Sequence, residues 1–205
     1  MADLDIERIP ALEASVDAQC AKGTYELDDN LLLLKLYQFF PEKANPAVIA
    51  RVLVKALMHL PETDFLLCMY LIPERIATEA PVLPIVEMSN RLETCQFQAF
   101  WEELAASREL VDVAPGFDDA IRDYALGVVS LTYQVIDLKY LGEILHVSDA
   151  ATLDQHVAKI GSREGDKVRV KLSDDNQAKV KEPDDASAVR ADQLAKAMRA
   201  MAHVL

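Results

Sequence analysis

The sequence predicts a mainly α protein, in which a layer of antiparallel helices precedes a winged-helix domain with a small β-hairpin and a C-terminal helix. Apolar residues recur at three- and four-residue spacing through the first two thirds of the chain, and proline marks the short turns between these stripes. A helix-turn-helix pattern then precedes alternating basic and apolar residues. We expect an acidic helical-repeat domain at 1–133, a winged helix at 134–182, and a linker with a partner helix at 183–205.

Local signals predict the helix ends in the first domain. Asp28 or Asp29 is predicted to cap the first helix, which Pro41 ends, and Asn45 with Pro46 is predicted to cap and open the second. Further helices are expected at about 64–72, 85–92, 93–107 and 118–132. Because the turns between them are short, we expect the helices to pack as antiparallel neighbours.

One predicted helix, over 93–107, has a strongly aromatic face. The residues on that face are Phe97, Phe100, Trp101 and Leu104. Helical spacing of this kind favours burial in the core. The alternative is an exposed aromatic anchor for a partner.

The pattern changes near residue 134. A short strand is expected just before Asp137, which is predicted to cap a helix, and Ser148 is predicted to start a second helix that ends at Gly161. Residues 167–172 alternate between basic and apolar, which predicts a strand, and 177–181 is its predicted return strand. A helix-turn-helix followed by a hairpin is typical of a winged helix.

Composition favours a globular, non-membrane protein. The chain is 51% apolar and carries a formal charge of −13, and it has no run of about 18 uncharged apolar residues. Acidic residues fill the N-terminus where a signal peptide would be basic and apolar, so we expect a soluble, cytoplasmic protein. The three separated cysteines, Cys20, Cys68 and Cys95, are expected to be reduced and packed in the core.

The negative charge is concentrated in the first part of the chain. Residues 1–136 hold 10 Lys and Arg against 22 Asp and Glu, net −12, whereas 137–205 hold 11 against 12, net −1. Since an acidic surface repels phosphate, any RNA contact is expected in the second part. The candidate wing contact, to protein or RNA, consists of Lys167, Arg169 and Lys171. Neighbouring aspartates make direct RNA binding weak and favour a protein contact or a solvated strand.

The end of the chain has a second candidate contact. An apolar stripe with spacings of four, three and four residues consists of Leu194, Met198, Met201 and Leu205. Behind a polar linker, such a stripe with two adaptable methionines is typical of a partner-binding helix. The alternative is that it folds back onto its own domain.

Motifs for catalysis are missing from the sequence. The histidines are scattered, no metal-ligand spacing occurs, and the six glycines form no phosphate-binding loop. We therefore expect no enzyme activity, no cofactor, no metal and no small-molecule substrate. A hydrolase built on two carboxylates is the remaining enzyme alternative, because Asp and Glu are abundant here.

Several segments resemble subunit K of eukaryotic translation initiation factor 3. The longest is Leu92-Glu93-Thr94-Cys95-Gln96-Phe97-Gln98-Ala99-Phe100-Trp101, and others are Leu33 to Phe39, Lys55 to Leu57, Leu60-Pro61, Thr63 to Phe65, Gly116-Phe117, Thr132 to Gln134 and Ile136-Asp137. Together they cover most of residues 25–145. After Ala150 the resemblance thins, because this chain has Ile160-Gly161-Ser162 where the family tends to have aromatic residues.

The resemblance implies a HEAT-like helical domain with a winged helix, as in subunits of the proteasome lid, the signalosome and this initiation factor. Subunits of this class assemble through winged-helix contacts and C-terminal helices. The implied function is a non-catalytic scaffold in translation initiation, with other subunits as direct partners and the small ribosomal subunit reached through the complex. A winged-helix nucleic-acid-binding regulator is the alternative.

Overall fold

The computed structural model describes residues 6–177, 193–195 and 198 of the 205-residue chain. This part is mainly helical with a small antiparallel sheet, which confirms the predicted fold class. The helices of the first two thirds are α1 (Ile9–Lys22), α2 (Leu27–Phe39), α3 (Pro46–Leu57), α4 (Asp64–Met69), α5 (Glu74–Ala77), α6 (Val82–Glu93), α7 (Phe97–Ala106), α8 (Arg108–Val111) and α9 (Phe117–Thr132). Short 3-10 turns at Ile6–Arg8 and Pro41–Lys43 precede α1 and α3.

Helix α3 forms the centre of the helical layer. Nine of its twelve residues are buried, which is the pattern of a helix enclosed on all sides, and it packs against α1, α4, α6 and α8. The side-chain oxygen of Asn45 accepts a hydrogen bond from the backbone N–H of Ala47 at 3.1 Å, and Pro46 occupies the first turn. The predicted Asn-Pro start of this helix is confirmed.

Helix α1, which the sequence analysis did not predict, determines how α2 begins. The side-chain oxygen of Gln19 accepts hydrogen bonds from the backbone N–H of Glu26 at 3.0 Å and from the amide of Asn30 at 3.1 Å. Gln19 and Asn30 are both buried, so each amide satisfies the other. The predicted cap at Asp28 or Asp29 was wrong, because α2 starts earlier and both carboxylates lie in its first turn, where they favour its positive end.

A residue with a left-handed backbone conformation separates α6 from α7. Cys95 has φ 58°, which ends the helix that reaches Glu93, and the next helix starts at Phe97. The predicted continuous helix over 93–107 was therefore too long at its start. Its aromatic face was predicted correctly as core, because Phe97, Phe100, Trp101 and Leu104 are all buried.

The cysteines differ in their environments. Cys20 and Cys68 are buried free thiols, as predicted, and burial raises the pKa of Cys68 to about 12. Cys95 is exposed, so its predicted burial was wrong. Its position in the turn between two helices, rather than on a helix face, accounts for the exposure.

The winged helix follows the helical layer in the chain. It comprises β1 (Val135–Asp137), α10 (Leu138–Leu145), α11 (Ala150–Ile160), β2 (Gly161–Glu164) and β3 (Lys167–Val170). Helix α11 is capped by Asp149, whose side chain accepts from the backbone N–H of Thr152, so the predicted start at Ser148 was one residue early. Preceded by α9, which packs against both α10 and α11, these elements follow the winged-helix order.

The sheet corrects the predicted hairpin. Its strand order is β1-β3-β2, and both pairings of β3 are antiparallel. Since β1 and β2 occupy the two sides of β3, no side remains for a return strand at 177–181; residues 178–181 lie outside the described residues, and Gln177 is not in a strand. The hairpin partner of β3 is β2, which precedes it.

Gly161 is required by the close approach of two strands. It lies at the junction of α11 and β2, opposite Val170 in the register, with an extended φ of 178°. A Cβ at this position would lie 2.0 Å from the backbone oxygen of Arg169. The predicted helix end at Gly161 is confirmed, but the reason for glycine is this contact with backbone rather than a left-handed cap.

Helix α10 is joined to the helical layer through its last carbonyl groups. The indole N–H of Trp101 donates to the carbonyl of Ile144 at 2.8 Å, and Nε of Arg122 donates to the carbonyl of Leu145 at 3.2 Å. The guanidinium of Arg122 also lies 5.5 Å from the centre of the Trp101 ring, and the ring of His146 stacks on that indole at 5.6 Å. Side chains of α7 and α9 thus satisfy groups that helix ends leave unpaired.

Contacts divide the chain into two compact units, one that reaches to Lys171 and a second that begins at Leu172. The helical layer and the winged helix belong to the first. The predicted division into domains at 1–133, 134–182 and 183–205 stays a prediction.

We predict that Trp101→Phe lowers the free energy of unfolding by about 1–3 kcal/mol, because the buried carbonyl of Ile144 loses its donor. Urea denaturation measures the change, and amide hydrogen exchange should accelerate in α10. Gln98→Ala is the control. Gln98 lies on α7 like Trp101, and its substitution removes only an exposed hydrogen bond to Glu143 of α10, so the free energy of unfolding should change by less than about 0.5 kcal/mol. Equal effects of the two variants would contradict the role of Trp101.

We also predict that Gly161→Ala destabilises the protein by about 1–3 kcal/mol, since the new methyl group must displace the β3 backbone. The matched control is Gly127→Ala in α9, where an added Cβ meets nothing within 4 Å. That control should stabilise the protein by roughly 0.5–1 kcal/mol through helix propensity. Thermal and urea unfolding of both variants would show whether the free energy of unfolding falls for Gly161→Ala and rises for Gly127→Ala.

Candidate docking surfaces

Strand β3 presents the basic residues of the predicted wing contact. Val168 and Val170 are buried, and Lys167 and Arg169 are exposed, so the strict alternation of the sequence is realised in the sheet. Lys171 follows the end of β3, and its backbone N–H donates to the carbonyl of Ile160 at 2.9 Å. The structure therefore places two of the three predicted residues on one strand face and the third beyond the strand.

The arginines of the hairpin are engaged within the winged helix. Arg169 contacts Glu164 through two hydrogen bonds, at 2.6 and 3.0 Å, and this pair lowers the pKa of Glu164. Arg163 donates to Asp154 at 2.9 Å and to the carbonyl of Gly165 at 3.0 Å. A bidentate contact to phosphate by either arginine would require these bonds to break.

Helix α11, which would enter a DNA groove in a nucleic-acid-binding winged helix, has a mixed charge. Its exposed ionisable residues include Asp154, which binds Arg163, and Lys159, which lies 2.6 Å from Asp123 of α9. Within the described residues, this helix offers no basic surface to a phosphate backbone.

Two residues of the predicted terminal stripe lie within the described part of the chain. Leu194 and Met198 are helical and 53% and 61% exposed. Residues 196 and 197 between them lie outside the described residues, so a shared helix face for Leu194 and Met198 stays a prediction. Met201 and Leu205 lie outside the described residues, so the stripe as a whole stays a prediction.

Four large apolar side chains in and beside β1 are exposed, and the sequence analysis missed them. They are Leu131 at the end of α9, Tyr133, Val135 in β1 and Tyr140 in α10. Partial burial and the interactions with Tyr133, including a hydrogen bond between the side chains, raise the pKa of Tyr140. The signal was the alternation of Leu131, Tyr133 and Val135, which continues an apolar pattern past the helix end. We call these four residues the β1 cluster.

One cleft of the winged helix lies between α10, the turn that follows it, and the turn between β2 and β3. It has a volume of about 700 Å³ and is lined by Asp137, Glu143 and Asp166 together with Lys139 and His146. In the part of the chain that the structure describes, no group of His, Cys, Asp and Glu side chains has a metal-binding arrangement. No helix among those residues is both long and apolar enough to cross a bilayer.

Three curated relatives of this chain, from distant organisms, share one name. The chain is 42% identical over 139 residues to eukaryotic translation initiation factor 3 subunit K of Danio rerio, covering 68% of this chain and 64% of that protein. The protein of that name from Homo sapiens is 39% identical over 155 residues, which are 76% of this chain and 71% of its own length. The one from Dictyostelium discoideum is 42% identical over 146 residues, 71% of this chain and 59% of its length. The match therefore spans less than two thirds of some of these relatives.

The family comparison agrees with the curated proteins. Residues 43–182, from the turn before α3 to beyond the sheet, match the model of the CSN8/PSMD8/EIF3K family. This range includes the hydrogen bond between Trp101 and Ile144 and the whole winged helix. The chain belongs to the CSN8/PSMD8/EIF3K family.

Proposed function

We propose that this chain is a non-catalytic scaffold subunit of eukaryotic translation initiation factor 3, which works in the cytoplasm by docking neighbouring subunits. The observation that carries the proposal is the similarity to proteins named subunit K, at 37–42% identity, in organisms as distant as Homo sapiens, Nematostella vectensis and Dictyostelium discoideum. The chain associates with the small ribosomal subunit through the other subunits.

The docking elements that we propose are the winged helix and the terminal helix. Leu194 and Met198 are large apolar side chains left mostly in solvent, and burial of such a side chain contributes about 1.5–3 kcal/mol. The β1 cluster adds an apolar area at the edge of the sheet. Apolar area surrounded by charged residues is the usual composition of an interface that forms between subunits.

Charge supports protein partners rather than nucleic acid. Residues 1–136 have a net charge of −12, and the arginines of the hairpin are paired with carboxylates of the winged helix. Basic surfaces on neighbouring subunits would be attracted to the acidic helical layer, and RNA would be repelled by it.

We predict that truncation before Pro183 reduces incorporation into the complex by about tenfold or more, because the terminal helix is removed. A full-length chain with Leu194→Glu and Met198→Glu should show most of that loss. The measurement is quantitative mass spectrometry of the subunits that co-purify with tagged copies expressed in cells.

A control separates docking from a general effect of new surface charge. Leu66→Glu changes a comparably exposed residue, 47% exposed, on α4 of the helical layer and should leave incorporation within about twofold. Undiminished incorporation of the truncated chain would contradict the role of the terminal helix.

We further predict that the full-length chain does not bind single-stranded RNA or duplex DNA at about 10 μM protein and physiological salt, because its net charge is −13. Fluorescence anisotropy from low to physiological salt would measure this. The nucleic-acid-binding alternative would instead be supported if the chain bound RNA or DNA, if salt weakened this binding, and if the double substitution Lys167→Glu and Lys171→Glu abolished it. The full chain is used because α9 packs against α10 and α11.

A further inference from the structure

An apolar groove crosses the helical layer between α9 and the segment that follows α3. It has a volume of about 440 Å³, and its apolar walls are formed by Met58, Leu60 and Pro61 on one side and Tyr124, Val128 and Leu131 on the other. Leu131 is 53% exposed, Pro61 is also exposed, and Met58, Leu60, Tyr124 and Val128 are partly buried. An open apolar groove on a highly charged surface marks an interaction site rather than an ordinary surface.

The floor of the groove is low because two residues of α9 are small. Ala120 and Gly127 lie two turns apart on the face that lines it. A Cβ added to Gly127 would meet nothing within 4 Å, so the space above this residue is open. Glycine inside a helix costs about 0.5–1 kcal/mol relative to alanine, and here no neighbour among the described residues requires it.

The dimensions of the groove fit a helix. From Ala120 to Leu131 the face of α9 extends roughly 16 Å, which corresponds to about three turns. Helices pack at axial distances of about 8–10 Å, and the shorter distances require small residues at the crossing, as at Gly127. An amphipathic helix with an apolar ridge of three or four side chains would fill this space.

The rims of the groove determine the charge of its occupant. Asp123 is the one charged side chain among the residues that line it, Asp119 lies one turn earlier on α9, and Glu62 follows Pro61 on the opposite rim. Lys159 binds Asp123 and Arg122 binds Asp119, but neither of these cations lines the groove. With a net charge of −12 over residues 1–136, the surroundings favour a positively charged partner.

We propose that this groove docks an amphipathic α-helix of another protein, with an apolar ridge toward α9 and Lys or Arg along its flanks. This docking is separate from the proposed role of the terminal helix, because the groove lies entirely within the unit that ends at Lys171. A chain truncated before Pro183 keeps the groove, so the two proposals can fail independently.

The test uses the purified full-length chain and two labelled peptides of about 14 residues, with the same leucine ridge and either lysine or glutamate on the flanks. We expect the basic peptide to bind about tenfold more tightly than the acidic one, and its affinity to fall as salt is raised. Gly127→Leu fills the groove and should weaken binding of the basic peptide about tenfold or more.

The matched control is Gly127→Ala, which leaves the groove open and should keep the affinity within about twofold. Urea unfolding verifies that both variants fold, and leucine, like alanine, is a better helix former than glycine. Three outcomes would overturn the proposal: no binding of either peptide, equal binding of both, or unchanged binding to Gly127→Leu. A concentration-dependent dimer that Gly127→Leu abolishes would also overturn it, since the occupant would then be a second copy of the chain.

Discussion

The fold depends on the contact between Trp101, Arg122 and the final turn of α10. Two carbonyls at the end of this short helix would otherwise be left in a largely dry environment, and each unsatisfied group costs about 1–3 kcal/mol. Their donors come from α7 and α9, which are elements of the helical layer. The same bonds therefore complete the winged helix and determine its orientation on that layer. Lys159 and Asp123 add an exposed ion pair between α11 and α9.

The apolar residues that we propose for docking are distinct from the fully buried core. The buried helix α3 and the aromatic face of α7 belong to that core, and Met58, Leu60, Tyr124 and Val128 of the groove pack against it while remaining partly exposed. The residues that we propose for docking lie in the groove beside α9, in the β1 cluster and at Leu194 and Met198. An acidic surface around apolar contacts keeps such a protein soluble and discourages non-specific association with nucleic acid.

Sequence reasoning succeeded where the signal was local. Asn45 before Pro46 marked the start of α3, and the 3,4 spacing of the α7 aromatics identified a core face. Helix α1 was missed because Gln19 interrupts its apolar stripe and is satisfied only by Asn30 of another helix. Strand β2 was missed because none of its four residues is large and apolar, as expected for a solvated edge strand. The groove requires residues 58–61 and 120–131 to meet, and no local pattern contains that information.

The left-handed turn at His146 has a geometric consequence for assembly. This residue ends α10 with φ 50°, and its ring stacks against the Trp101 indole, which donates a hydrogen bond to the carbonyl of Ile144. The orientation of the wing relative to the α9 groove is consequently set by packing within the chain and not by a binding partner. A partner that contacted both the wing and the groove would therefore have to match this fixed angle.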